Sequence, residues 1–231
     1  MARLYIFAEG LTEQTYADTV LKDHLAAIGV YVQGPILIAH AKKKGRVHRG
    51  GGRRYLPMRN DIIRFLGQER ASDTFFTTMI DLYAIHSDFP GLAEAEKVRH
   101  LHRQRVEKLE EAFENDIGDR RFIPHIQLYE FEAILFVHPP AFESFYPRST
   151  RQVRALQAIA EAHPPEEIND GPQTAPSKRI IDQFPDYEGA KPTAGPQIAG
   201  NIGLEAIRNK CPHFNAWLEK LEMLANEPGQ P

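Results

Sequence analysis

The 231-residue chain carries 42% apolar side chains and a net charge of −3, enough apolar material for one sizeable core. No stretch approaches the about 18 apolar residues of a membrane span, and the chain opens on a strand pattern with no charged leader, so a cytoplasmic location is expected. A single cysteine, Cys211, excludes an internal disulfide and a Cys-rich zinc site, leaving oxygen or imidazole as donors for any metal.

The first predicted element is a strand over 3–8 that runs straight into Glu9-Gly10. A helix is expected from Thr12, as N-cap, to about Ile28, with Tyr16, Val20, Leu21, Leu25 and Ile28 on one face and Gly29 ending it. An apolar run over 30–39 gives the second strand. Residues 41–54 then hold seven of the 28 Lys and Arg and none of the 31 Asp and Glu, so one glycine-containing loop is strongly cationic on an otherwise acidic chain. Lys42, Lys43, Lys44, Arg46, Arg49, Arg53 and Arg54 are the expected phosphate-neutralising residues, because a mobile basic segment suits a nucleic-acid backbone.

A second helix is predicted over about Leu56 to Leu66, with Ile62, Ile63 and Leu66 inward. The run 74–80 gives a strand ending at Asp81, 91–116 a long charged helix, and 122–128 a fourth strand. Strands alternating with helices argue for an α/β fold, a mainly parallel sheet flanked by helices, over residues 1–128. Beyond it, 129–231 reads as mostly helical and packed on the core, with helices over 151–163 and Pro212 to Ala225. The Pro- and Gly-rich passage 164–197 keeps Ile168, Ile180, Ile181, Phe184 and Tyr187 as anchors and is expected to be ordered loop, while 227–231 frays.

Chemistry is expected at the carboxyl ends of the strands, where open α/β sheets form crevices. Glu9 and Asp81 end neighbouring strands, Asp88 could reach in from the loop after Asp81, and Glu130 and Glu132 follow the last strand. Acids delivered to one edge suit a hard divalent cation, Mg2+ or Mn2+. The histidine spacing does not form a zinc motif, although His125 at the end of the fourth strand could orient a ligand. Gly50-Gly51-Gly52 lacks the Lys-Ser/Thr of a nucleotide-binding loop, and Asn169 and Asp170 read as turn formers.

Phe7-Ala8-Glu9-Gly10-Leu11-Thr12-Glu13, Ile80-Asp81-Leu82-Tyr83 with Asp88-Phe89-Pro90, Tyr129 to Phe136, and Ile168 to Arg179 together resemble the bacterial DUF4276 family over nearly the whole chain. That resemblance implies a Toprim-like domain, the metal-dependent fold of topoisomerases, primases and the overcoming-lysogenization-defect nucleases, working beside an ATPase partner in phage defence. It implies that Glu9 moves protons or binds metal, and that Asp81 is the first acid of an Asp-x-Asp pair. The second position holds Tyr83, so Asp88, Glu130 or Glu132 is expected to supply the remaining ligand. The implied activity is Mg2+- or Mn2+-dependent phosphodiester hydrolysis, with Lys178 or Arg179 as the basic side chain that clamps the phosphate, Lys178 counted with the catalytic residues and Arg179 with the nucleic-acid-binding ones, and DNA favoured over RNA. Two alternatives stay open: a non-catalytic partner of an ATPase, and a nucleic-acid-binding module without hydrolysis.

Overall fold

A computed structural model of the chain describes residues 1–38, 54–168, 171 and 173–226. In β1 (Ala2–Ala8) Leu4, Ile6, Phe7 and Ala8 are all fully buried, the near-continuous apolar character that a parallel strand covered on both faces requires. Gly10 caps the helix that follows, α1 (Leu11–Tyr16), which passes through a π-helical stretch, Ala17–Leu21, into α2 (Lys22–Ala26). The expected cap, Thr12, is instead the second helical residue, because Glu13 turns back to accept the Gly10 N–H at 2.8 Å. Gly29, at φ 89°, ends the helical stretch as expected, whereas Ile28 is left exposed.

The expected strand over 30–39 is two short ones, β2 (Val30–Val32) and β3 (Ile36–Leu37), interrupted by Gln33-Gly34-Pro35. Helix α3 (Tyr55–Gln68) buries Tyr55, Met58, Ile62 and Leu66 and turns Ile63 outward, correcting the expected inward set. Then comes β4 (Thr74–Asp81), buried up to its last residue. The long helix expected over 91–116 divides into α4 (Leu92–Lys97) and α5 (His102–Ile117). The fourth strand likewise divides, into β5 (Phe122–Ile123) and β6 (Ile126–Gln127), because Pro124 cannot donate to a ladder.

Among the described residues every strand pairing is parallel, in the order β2-β1-β4-β5, with β3 continuing the row beside β1 and β6 the row beside β4. Arg3 to Ala8 stand opposite Thr74 to Met79, so β1 and β4 end together and release Glu9 and Asp81 at one edge. Beside them Ile80 and Asp81 pair with Ile126 and Gln127, which brings the chain to Glu130 at the same edge.

From there the chain is helical: 3-10 stretches Phe131–Val137 and Pro139–Ser144, then α6 (Thr150–Ala162), a 3-10 turn Pro165–Glu167, α7 (Pro176–Gln183), α8 (Tyr187–Ile202), α9 (Leu204–Lys210) and α10 (Pro212–Met223). The passage expected as ordered loop is therefore largely two helices, α7 and most of α8. Pro192 and Pro196 lie inside α8 and leave the Glu188 and Pro192 carbonyls without intrahelical donors. Burial of Tyr187, Ala194, Ile198, Ala199 and Ile202 compensates.

One hydrophobic cluster joins β1 and the first helical segment to the carboxy-terminal helices, and a second joins the opposite sheet face to α3 and α5. Among the described residues no helix is long and apolar enough to cross a membrane.

Candidate metal centre

The β1, β4 and β6 ends converge on a set of carboxylates, of which Glu9, Asp81, Glu130 and Glu13 each accept a backbone N–H. Glu9 Oε2 accepts the Asp81 N–H at 2.8 Å, and the Glu9 N–H donates to the Met79 carbonyl at 3.0 Å. Asp81 Oδ1 accepts the Phe131 N–H at 2.9 Å, and Glu130 Oε2 accepts the Ser177 N–H, from the first turn of α7, at 2.9 Å. Glu132 is buried, with Lys191 Nζ of α8 at 3.2 Å and the Tyr187 hydroxyl at 3.4 Å from its Oε1. Glu13 is buried on the first turn of α1. Immediately before Glu130, Tyr129 adopts φ 63°, an uncommon conformation for a bulky residue, and its hydroxyl bonds to His102 Nδ1.

Crowding shows in the proton affinities. Burial, then the Glu9 charge, pushes Glu13 up to about 7. Asp81 keeps part of its surface open, yet desolvation and the charges of Glu13, Glu9, Glu132 and Glu130 hold it well above the usual carboxylate range. Desolvation also raises Glu132, against the opposing pull of Lys191. Burial opposes the Lys191 charge, but Glu132, Glu130 and Asp81 outweigh it and raise its pKa.

Among the described residues, Lys191 brings a positive charge to this acidic set. A carboxylate has about four acceptor positions, so one N–H orients it without exhausting it. All-oxygen donors of this kind, fixed by backbone, fit a hard divalent cation held with waters and substrate oxygens.

The remaining expected residues are distributed as follows. Tyr83 is 38% exposed, packs on Tyr129 at 5.7 Å, and has its phenol pushed up to about 12 by desolvation and Glu130. Asp88 does not face the acids: it accepts the Tyr55 N–H at 3.1 Å at the start of α3 and pairs with His86 at 3.0 Å. Lys178 is exposed on α7, and Arg179 Nε donates to the Thr174 carbonyl at 2.8 Å. Arg54 is exposed just before α3. Lys42, Lys43, Lys44, Arg46, Arg49, Arg53, Asn169 and Asp170 lie outside the described residues.

Sequence reasoning missed Glu13 and Lys191. Glu13 stands in the Phe7–Glu13 stretch of the family resemblance with no role assigned to it, and Lys191 sits beside a proline in a Pro- and Gly-rich passage. Two shallow clefts, of about 420 and 410 Å3, lie elsewhere, and no acid of this set lines them.

A second grouping could hold a metal ion. Among the described residues Glu110 of α5, His125 between β5 and β6, and His213 of α10 each bring one ligand atom within 4.8 Å of the others. Burial pushes His125 well below its ordinary pKa, leaving a neutral imidazole. Burial also opposes charge on His213, but hydrogen bonding to Glu110 and its charge raise that pKa.

Neither the curated proteins nor the solved structures contain a match to this chain. The family profile described as a domain of unknown function, DUF4276, matches residues 8–222, which spans Glu9, Asp81, Glu130, Lys191 and the helices behind them, and the chain belongs to that family.

Proposed function

We propose that the acidic crevice is the centre of a divalent-cation-dependent phosphodiester hydrolase of the Toprim type, acting on nucleic acid. The observation that carries this reading is the convergence of Glu9, Asp81 and Glu130 from three adjacent parallel strand ends, with Glu13 and Glu132 beside them. Glu130, arriving from the row beside β4, stands in for the acid that Tyr83 replaces.

Glu9, Asp81 and Glu130 would hold Mg2+ or Mn2+. The cation would neutralise charge on the phosphate oxygens. Glu13, with its proton affinity near neutrality, is suited to accept the proton lost by an attacking water. Lys191 would contact the phosphate from within the crevice, and exposed Lys178 from its rim. The cationic composition of residues 41–54 supports a nucleic-acid substrate. An ATPase partner and a role in phage defence are proposed on the family resemblance alone.

Hydrolysis of plasmid DNA, RNA and bis(p-nitrophenyl) phosphate with Mg2+ or Mn2+ tests the proposal. Wild type should be active, and Glu9→Gln/Asp81→Asn should lose at least about 10³-fold, the scale on which preorganised charge stabilisation acts. Equal rates for the two proteins would overturn it.

A further inference from the structure

We propose that Glu110, His125 and His213 form a second metal site, separate from the acidic crevice, that takes a divalent transition-metal ion of the zinc type. Glu110 Oε1 lies 3.1 Å from His213 Nε2 and 3.7 Å from His125 Nδ1. A tetrahedral ion with bonds of about 2.0–2.1 Å separates its donors by about 3.3 Å, so small movements would close the three ligands on one ion.

The independent sign of a ligand is His125. Its side chain is fully buried, yet neither ring nitrogen has a hydrogen bond. Such a group is costly to bury unpartnered. Its ring is held by stacking on Trp217 at 4.2 Å and 11° and on His213 at 5.2 Å and 22°. The neighbouring Gln127 amide, close enough to favour charge on His125, is also buried without a hydrogen bond of normal geometry. Glu110 is aimed by the Ile126 N–H at 2.8 Å, the kind of outer contact that fixes a ligand carboxylate.

Donor chemistry separates the two sites. Two imidazoles and a carboxylate favour zinc and its neighbours, whereas the all-oxygen crevice favours magnesium or manganese. The three ligands come from α5, the β5–β6 connection and α10, so the ion would clasp the carboxy-terminal helix to the sheet. Glu110, with 12% of its side chain exposed, gives the ion a path in.

Tag-free, chelator-stripped protein titrated with Zn2+ against a chromophoric chelator tests this. One equivalent should bind per chain, excess Mg2+ should not displace it, and Co2+ in its place should give tetrahedral ligand-field absorption. Glu110→Gln and His213→Gln should each weaken Zn2+ uptake by at least about 100-fold, the upper range for loss of a supporting group and a minimum for a ligand. Glu9→Gln/Asp81→Asn should retain it. Folded wild type that takes up no stoichiometric Zn2+ and shows no tetrahedral Co2+ bands overturns the proposal, whatever the variants do. Undiminished binding by folded Glu110→Gln and His213→Gln overturns it equally.

Discussion

Glu13 serves two roles that pull its charge in opposite directions. Accepting the Gly10 N–H favours the carboxylate, while burial and the charge of Glu9 favour the acid, and the latter win. Its folded pKa of about 7 lies above the ordinary 4.5, so between those values the folded chain holds more protons than the unfolded one, and stability falls as pH rises through that window.

Glu13→Gln keeps an oxygen for Gly10 and removes the charge. In EDTA it should stabilise the protein at pH 8 by up to about 3 kcal/mol, since one pKa unit is about 1.4 kcal/mol, and have little effect at pH 4. Denaturant unfolding at both pH values measures the difference. An equal effect at the two would contradict the assignment.

Glu9 and Asp81 were legible in the sequence because a carboxylate ending an apolar run announces a strand edge. Glu13, Lys191, Glu110 and His213 were not. Glu13 bonds to Gly10 only three residues away, but its burial comes from packing; the partners of Lys191, Glu110 and His213 are remote in sequence, as in the Glu110–His213 contact 103 positions apart, and no local spacing encodes such meetings.

At the scale of elements, Asp88 separates a structural from a catalytic role. Its carboxylate holds the first N–H of α3, so Asp88→Ala should cost about 1 kcal/mol, as loss of a helix cap does, and leave Mn2+ affinity unchanged. Thermal unfolding and Mn2+ titration read the two effects separately; weakened Mn2+ binding would return Asp88 to the metal centre.

Helix α8 gives the second test. A Cβ on Gly195 would stand 3.0 Å from the Tyr187 hydroxyl and 3.3 Å from both Phe131 and Thr12, so the helix carrying Lys191 sits as close to α1 as a glycine permits. Gly195→Val should destabilise the fold by about 2 kcal/mol, within the usual range for overpacking, visible as a lowered Tm.

Periodicity found β1, β4 and the inward face of α5, because long buried runs and regular apolar spacing survive without context. It missed α8, where prolines signal a break and only burial against α1 and Phe131 makes the helix worthwhile. It joined β2 to β3 and β5 to β6 because apolar content continues across Pro35 and Pro124 while the ladder does not.

Across the whole molecule, the parallel α/β architecture was legible, because strands alternating with helices leave few other arrangements. The dependence of the crevice on the carboxy-terminal helices was not. Glu9 and Asp81 come from the sheet, but Ser177 of α7 orients Glu130 and Lys191 of α8 pairs with Glu132. The cationic stretch makes a prediction of its own. Neutralising Lys42, Lys43, Lys44, Arg46, Arg49, Arg53 and Arg54 should weaken DNA binding and flatten its salt dependence, each lost phosphate contact removing about 0.9 from the logarithmic slope. Fluorescence anisotropy across a salt series would show it, and an unchanged slope would remove the stretch from the nucleic-acid interface.

Whether the acidic crevice holds a divalent cation is read most plainly from an anomalous difference map of crystals soaked in Mn2+. A peak is expected bounded by the carboxylates of Glu9, Asp81 and Glu130, absent from Glu9→Gln/Asp81→Asn crystals. Fully soaked wild-type crystals with no Mn2+ peak among those three side chains would contradict that expectation.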